Sequence, residues 1–88
     1  MKKIWIVEGR TGEYSDRSEW QVCAFYDENK AKEFVEELSD LARLTYVAAG
    51  GDAHEDTEEF KALQALDAKA GMDYTGTSYR AYAVEIKD

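Results

Sequence analysis

From Ile4 to Val7 the chain reads Ile-Trp-Ile-Val, four apolar residues in a row within an otherwise highly charged sequence. β-Branched and aromatic side chains favour extended backbone, and successive side chains of a strand point to opposite faces, so Lys3 to Glu8 would be apolar on both sides. Such a segment belongs in the middle of a sheet. Trp20 to Tyr26 is a second run of this kind, and Gly9 to Glu19 between them contains two glycines, Thr11, Ser15, Asp16 and Ser18. That composition predicts an antiparallel hairpin closed by a long polar loop. Thr77 to Ile86 alternates Tyr82, Val84 and Ile86 against Tyr79, Ala81 and Ala83, with Arg80 and Glu85 marking a third, partly solvated strand.

The intervening sequence changes period. Asp27 offers an N-cap carboxylate, Glu28 suits the positive end of a helix dipole, and Ala31, Phe34, Val35, Leu38, Leu41 and Ala42 recur with helical spacing. Gly50 and Gly51 end that helix or its frayed extension. Asp56 and Glu59 have capping-box spacing ahead of a second helix, which carries Phe60, Leu63, Leu66 and Ala70 inward and stops at Gly71. The order β-β-α-α-β predicts an α+β fold: a three-stranded, mainly antiparallel sheet, first strand central, with two helices packed on one face. The expected core is Trp5, Ile6, Phe25, Phe34, Val35, Leu38, Leu41, Phe60, Leu63 and Val84. With 88 residues the chain has room for one domain, residues 1–88, and little stability to spare for elaborate buried polar networks.

Charge is distributed unevenly. Asp27 to Glu59 holds eleven acids against Lys30, Lys32 and Arg43, whereas the remaining residues carry eight acids and eight bases, so the whole net charge of -8 lies in one stretch. A one-signed surface repels a phosphate backbone and attracts a basic protein surface or a cation. Direct nucleic-acid binding is not expected. The lone Cys23 has no disulfide partner and sits in the apolar run Val22 to Phe25, which fits a reducing cytoplasm. No apolar stretch reaches the length of a membrane span, and Ile4 to Val7 is too short for a signal-peptide core, so a cytoplasmic protein with no membrane partner is expected.

Catalytic signatures are missing from the sequence. His54, the only imidazole, stands among Asp52, Glu55 and Asp56, yet carboxylates before a helix are expected for capping alone, and one histidine is a poor metal set. The alternating Asp52, His54, Asp56 and Glu58 lack the remaining features of a calcium loop. No GxxxxGK or GxGxxG spacing occurs, and Cys23, Ser15 and Ser18 have no base in a recognisable pattern. No enzyme, no metal and no cofactor are expected. The binding candidates are two. Glu33, Glu36, Glu37 and Asp40 lie on adjacent turns of one helix face, and Tyr14, Asp16 and Arg17 occupy the hairpin loop, where an aromatic and an arginine make good interface anchors. Tyr46 and Tyr74, near element ends, are further interface candidates.

The run Thr11-Gly12-Glu13-Tyr14-Ser15-Asp16-Arg17 with Trp20, followed by a strand and a Lys/Glu-rich amphipathic helix, resembles small uncharacterised proteins encoded by bacteriophages and prophages. The resemblance covers the first half of the chain. It implies a bacterial host cell as the setting, and in size and acidity the chain is similar to phage inhibitors of host defence, including anti-CRISPR and anti-restriction proteins, some of which place carboxylates where DNA phosphates would lie. The expected function is therefore a small acidic protein-binding module, a phage-encoded inhibitor that docks on a basic host protein by binding or nucleic-acid mimicry. The alternative is a metal- or small-molecule-responsive accessory domain using the carboxylates near His54 or the aromatic hairpin. An exposed edge strand also leaves a homodimer open.

Overall fold

A computed structural model describes residues 2–12, 17–48, 58–70 and 76–87. The elements follow in the order β1 (Lys3–Thr11), β2 (Ser18–Phe25), α1 (Glu28–Ala48), α2 (Glu58–Leu66) and β3 (Thr77–Glu85). The sheet has the order β2-β1-β3 and both pairings are antiparallel, so the doubly apolar strand is central. α1 lies against all three strands, chiefly β3, and α2 packs against α1 on the same side. The α+β architecture is the one that the alternation of periods requires.

In the hairpin two details differ from the sequence expectation. The strands run further into the hairpin: Gly9, Arg10 and Thr11 pair with Trp20, Glu19 and Ser18, so Gly9 is a strand residue and the connection is shorter than Gly9 to Glu19. Glycine is required at position 9, because a Cβ there would lie 2.6 Å from the Trp20 ring. The second is a bulge opposite Val7 and Glu8, which pair with Cys23 and Gln21 and leave Val22 as the extra residue. An uninterrupted strand would put even-numbered Trp20 and odd-numbered Phe25 on opposite faces. The bulge shifts the phase, and Trp20, Val22, Cys23 and Phe25 all pack against the core.

Asp27 caps α1 as expected: its Oδ1 accepts from the Asn29 N–H at 2.8 Å and the Lys30 N–H at 3.3 Å. α1 has 21 residues, an axis of about 30 Å at 1.5 Å per residue. Its inner face buries Ala31, Leu38, Ala42 and Thr45, the Thr45 hydroxyl donating to the Leu41 carbonyl at 2.8 Å. α2 buries Phe60 and Leu63. These residues close on Val7, Ala70 and Tyr79 to form the centre of the core.

Phe34, Val35, Leu41, Trp5 and Phe25 are half-buried and line the rim of that core, with Phe34 tilted against Phe25 at a ring separation of 5.5 Å. Ile6 and Val84 are not in the core. Val7 faces the helices, so its neighbours in the strand face away, and Ile4, Ile6, Tyr82 and Val84 form an apolar patch on the opposite face of the sheet, with Val84 39 % exposed. Leu66 also differs: α2 ends there instead of continuing to Gly71, and the side chain is 36 % exposed. Asp56, Gly50, Gly51 and Gly71 lie outside the described residues.

Candidate functional site

On a helix of 3.6 residues per turn each residue advances by about 100°, which places Glu33, Glu36, Glu37 and Asp40 within one arc of about 100° and along about 10 Å of axis. All four are exposed. The buried residues Ala31, Leu38, Ala42 and Thr45 occupy the opposite side of α1, so packing of the core orients the carboxylates outward. Arg43 approaches Asp40 at 3.9 Å, and Lys32 approaches Glu28 at 3.7 Å beside the stripe. Such exposed pairs contribute at most about 1 kcal/mol. Among the described residues no cation pairs with Glu33, Glu36 or Glu37.

Leu44 extends the stripe. It follows Asp40 by one turn on the same arc and is 43 % exposed, the only apolar side chain at that end of the acidic face among the described residues. The i, i+4 step from Asp40 to Leu44 is legible in the sequence, but the exposure of Leu44 is not. Carboxylates around one apolar contact form a surface suited to a basic partner with an apolar centre.

Of the hairpin candidates, Arg17 lies among the described residues. Arg17 is exposed and forms an ion pair with Glu19, two residues along the same arm of the hairpin. Tyr14 and Asp16 lie outside the described residues, as do Asp52, His54, Glu55, Asp56 and Tyr74; the helix includes Tyr46, whose side chain is likewise outside them. Among the described residues no group of three or more His, Cys, Asp or Glu is placed to hold a metal ion.

The most organised polar cluster was not foreseen. Asp67, just beyond α2 and 2 % exposed, accepts hydrogen bonds at Oδ2 from the Trp20 indole at 2.7 Å and the Tyr79 hydroxyl at 2.8 Å. Its Oδ1 accepts from the Lys69 N–H at 3.1 Å, and its own N–H donates to the Leu63 carbonyl at 2.9 Å. The Trp20 and Tyr79 rings meet edge to face at 6.4 Å. Burial, then the hydrogen bond to Asp67, pushes the Tyr79 hydroxyl far above its ordinary range. Burial and the Asp67 charge likewise raise the Cys23 thiol, which disfavours the reactive thiolate. With its acceptors occupied by the fold, Asp67 fastens the end of α2 to β2 and β3.

On the other face of the sheet a hollow of about 160 Å³ is lined by Glu8, Arg10, Ser78, Tyr79 and Arg80. Arg80 donates to Glu8 at 3.3 Å and lies 5.4 Å from the Tyr82 ring centroid. Neighbouring Arg10 and Glu19 are cross-strand partners. No helix among the described residues is long and apolar enough to cross a membrane. Comparison with protein-family models, curated proteins and solved structures returned no match.

Proposed function

We propose that this chain is a protein-binding module whose α1 stripe docks on a basic surface of a host protein. The observation that carries the reading is the set Glu33, Glu36 and Glu37, exposed and without a cation partner among the described residues, continued by Asp40 and the exposed Leu44 on a helix fixed from behind by the core. Carboxylates at this spacing steer a cationic surface into contact, and desolvation of Leu44 supplies the non-directional part of the affinity. The resemblance of the Thr11 to Arg17 segment to phage proteins gives the setting: an inhibitor of a bacterial defence protein, occupying the basic surface that otherwise holds nucleic acid. The binding mode requires neither catalysis nor a cofactor.

The test is capture from bacterial lysate on the immobilised chain, parent against a variant carrying Glu33→Lys, Glu36→Lys, Glu37→Lys and Asp40→Lys. The parent should retain a basic protein that the fourfold variant loses, and capture should weaken as salt rises above about 0.1 M, where charges are screened beyond about 10 Å. Capture of the same protein by both baits, unaffected by salt, would refute the docking surface and transfer attention to Arg17 and the hairpin.

A further inference from the structure

Main-chain groups along an antiparallel strand alternate in direction. The Ile86 N–H donates to the Lys2 carbonyl at 2.9 Å, and the register from Lys3↔Glu85 to Thr11↔Thr77 is unbroken. Even-numbered residues of β3 therefore turn their N–H and C=O groups toward β1, while odd-numbered residues, Tyr79, Ala81 and Ala83 among them, turn theirs away from the sheet. Among the described residues no strand pairs with that side of β3. The two edges of the sheet are not equivalent. The β2 edge is interrupted by the bulge at Val22, one of the devices that blunt edge-to-edge pairing. β3 is nine residues long, without bulge or proline, and its only charges, Arg80 and Glu85, belong to side chains that stand on its faces or its end.

We propose that β3 pairs antiparallel with β3 of a second copy of this chain, about a two-fold axis at Ala81, joining two three-stranded sheets into one. This inference does not rest on the function assigned to α1. Hydrogen-bonded pairing requires outward-facing residues to meet outward-facing residues, which a two-fold axis at 80, 81 or 82 allows. An axis at Arg80 would set two guanidinium groups directly opposite each other, a destabilising contact. An axis at Tyr82 leaves part of β3 without a counterpart in the second copy's β3. At Ala81 the strand overlaps its twin from end to end: Thr77 meets Glu85, Ser78 meets Val84, Tyr79 meets Ala83 and Arg80 meets Tyr82.

No like charges are then opposed, and the Arg80 contact with Tyr82, already made within one chain, recurs twice across the axis. On the helix side the seam is built of Ala81 and Ala83, whose small side chains leave room for close approach. Tyr79, Ala81 and Ala83 with their symmetry mates supply about six main-chain hydrogen bonds, two for each facing pair. On the opposite side the patches of Ile4, Ile6, Tyr82 and Val84 become continuous across the axis. An isologous pair of this kind closes on itself and leaves the two bulged β2 edges outermost.

Sedimentation equilibrium of the full chain, from about 1 to 300 μM, tests the proposal, because a contact confined to one strand edge should dissociate within that range. The expected species at the upper end is a dimer of about 20 kDa, twice the 10.0 kDa chain. Ala81→Pro removes an outward N–H without touching the β1 ladder and should leave a folded monomer. Tyr82→Arg, on the solvent side of the sheet, opposes Arg80 across the axis and should also give a monomer, which provides an independent reading if the proline variant does not fold. A parent that stays monomeric at every concentration overturns the proposal. So does a dimer that persists in folded Tyr82→Arg.

Discussion

Replacing Asp67 by alanine is the sharpest test of how this fold is held together. The substitution removes the acceptor for the Trp20 indole at 2.7 Å and for the Tyr79 hydroxyl at 2.8 Å, and with them the Lys69 N–H bond at 3.1 Å. A hydrogen bond to a charged group contributes about 1.5 to 3 kcal/mol net, and all three end on one carboxylate. The simple sum is about 4.5 to 9 kcal/mol, but it overstates the loss, since the parent bears the cost of desolvating the carboxylate and the contributions are not additive. About 3 to 4 kcal/mol is the expected net effect, because the part-buried Trp20 N–H and the buried Tyr79 O–H are left as donors without an acceptor, at about 1 to 3 kcal/mol each. For a chain of 88 residues, at about 0.05 to 0.15 kcal/mol per residue, that is a large share of the total stability. Urea unfolding followed by circular dichroism and by tryptophan fluorescence, with Trp20 as local reporter, measures it. At an m value of about 1.5 kcal/mol/M the midpoint should fall by about 2 M or more. A variant within about 0.5 kcal/mol of the parent would refute the view that Asp67 fastens α2 to the sheet.

Two more outcomes follow from the same residues. The Tyr79 hydroxyl is raised in the folded state, so its contribution is fully present below the unfolded value of about 10 and is lost as the pH rises beyond it. The parent should therefore lose about 1.4 kcal/mol per pH unit above pH 10 relative to Tyr79→Phe, and parallel profiles would contradict this. Gly9→Ala brings a Cβ to within 2.6 Å of the Trp20 ring and should cost about 1 to 3 kcal/mol in thermal or denaturant unfolding, an effect that disappears in a Trp20→Ala background. Equal penalties in both backgrounds would mean that backbone conformation, and not the ring, excludes a side chain.

Much of the architecture was written in local pattern. The doubly apolar Ile4 to Val7 required a central strand, the alternation of Thr77 to Ile86 required another, and Asp27 marked the start of α1 through a contact only two residues long. Phase was harder to read. Because both faces of Ile4 to Val7 are apolar, alternation alone does not say whether Ile6 or Val7 meets the helices, and it is Val7 that does, which leaves Ile6 and Val84 on the other face. The Val22 bulge was hidden for a similar reason, since Val22 and Cys23 are both apolar and conceal the change of phase. Asp67 was unreadable because its partners Trp20 and Tyr79 stand 47 and 12 residues away, and nothing in an isolated Asp between two helical and turn signals announces them. For the acidic stripe the helical period sufficed to put four carboxylates on one face, but the exposure of Leu44 beside them depends on where α1 rests on the sheet.

The one-sided placement of the helices also shapes how the molecule responds to temperature. Unfolding raises the heat capacity in proportion to the apolar surface newly given to water, and Ile4, Ile6, Tyr82 and Val84 have made part of that transfer already. A single chain should accordingly fall below the usual increment of about 12 to 15 cal/mol/K per residue. Its stability curve is then a flatter arch, broad at its base, changing little between a cold and a warm cell.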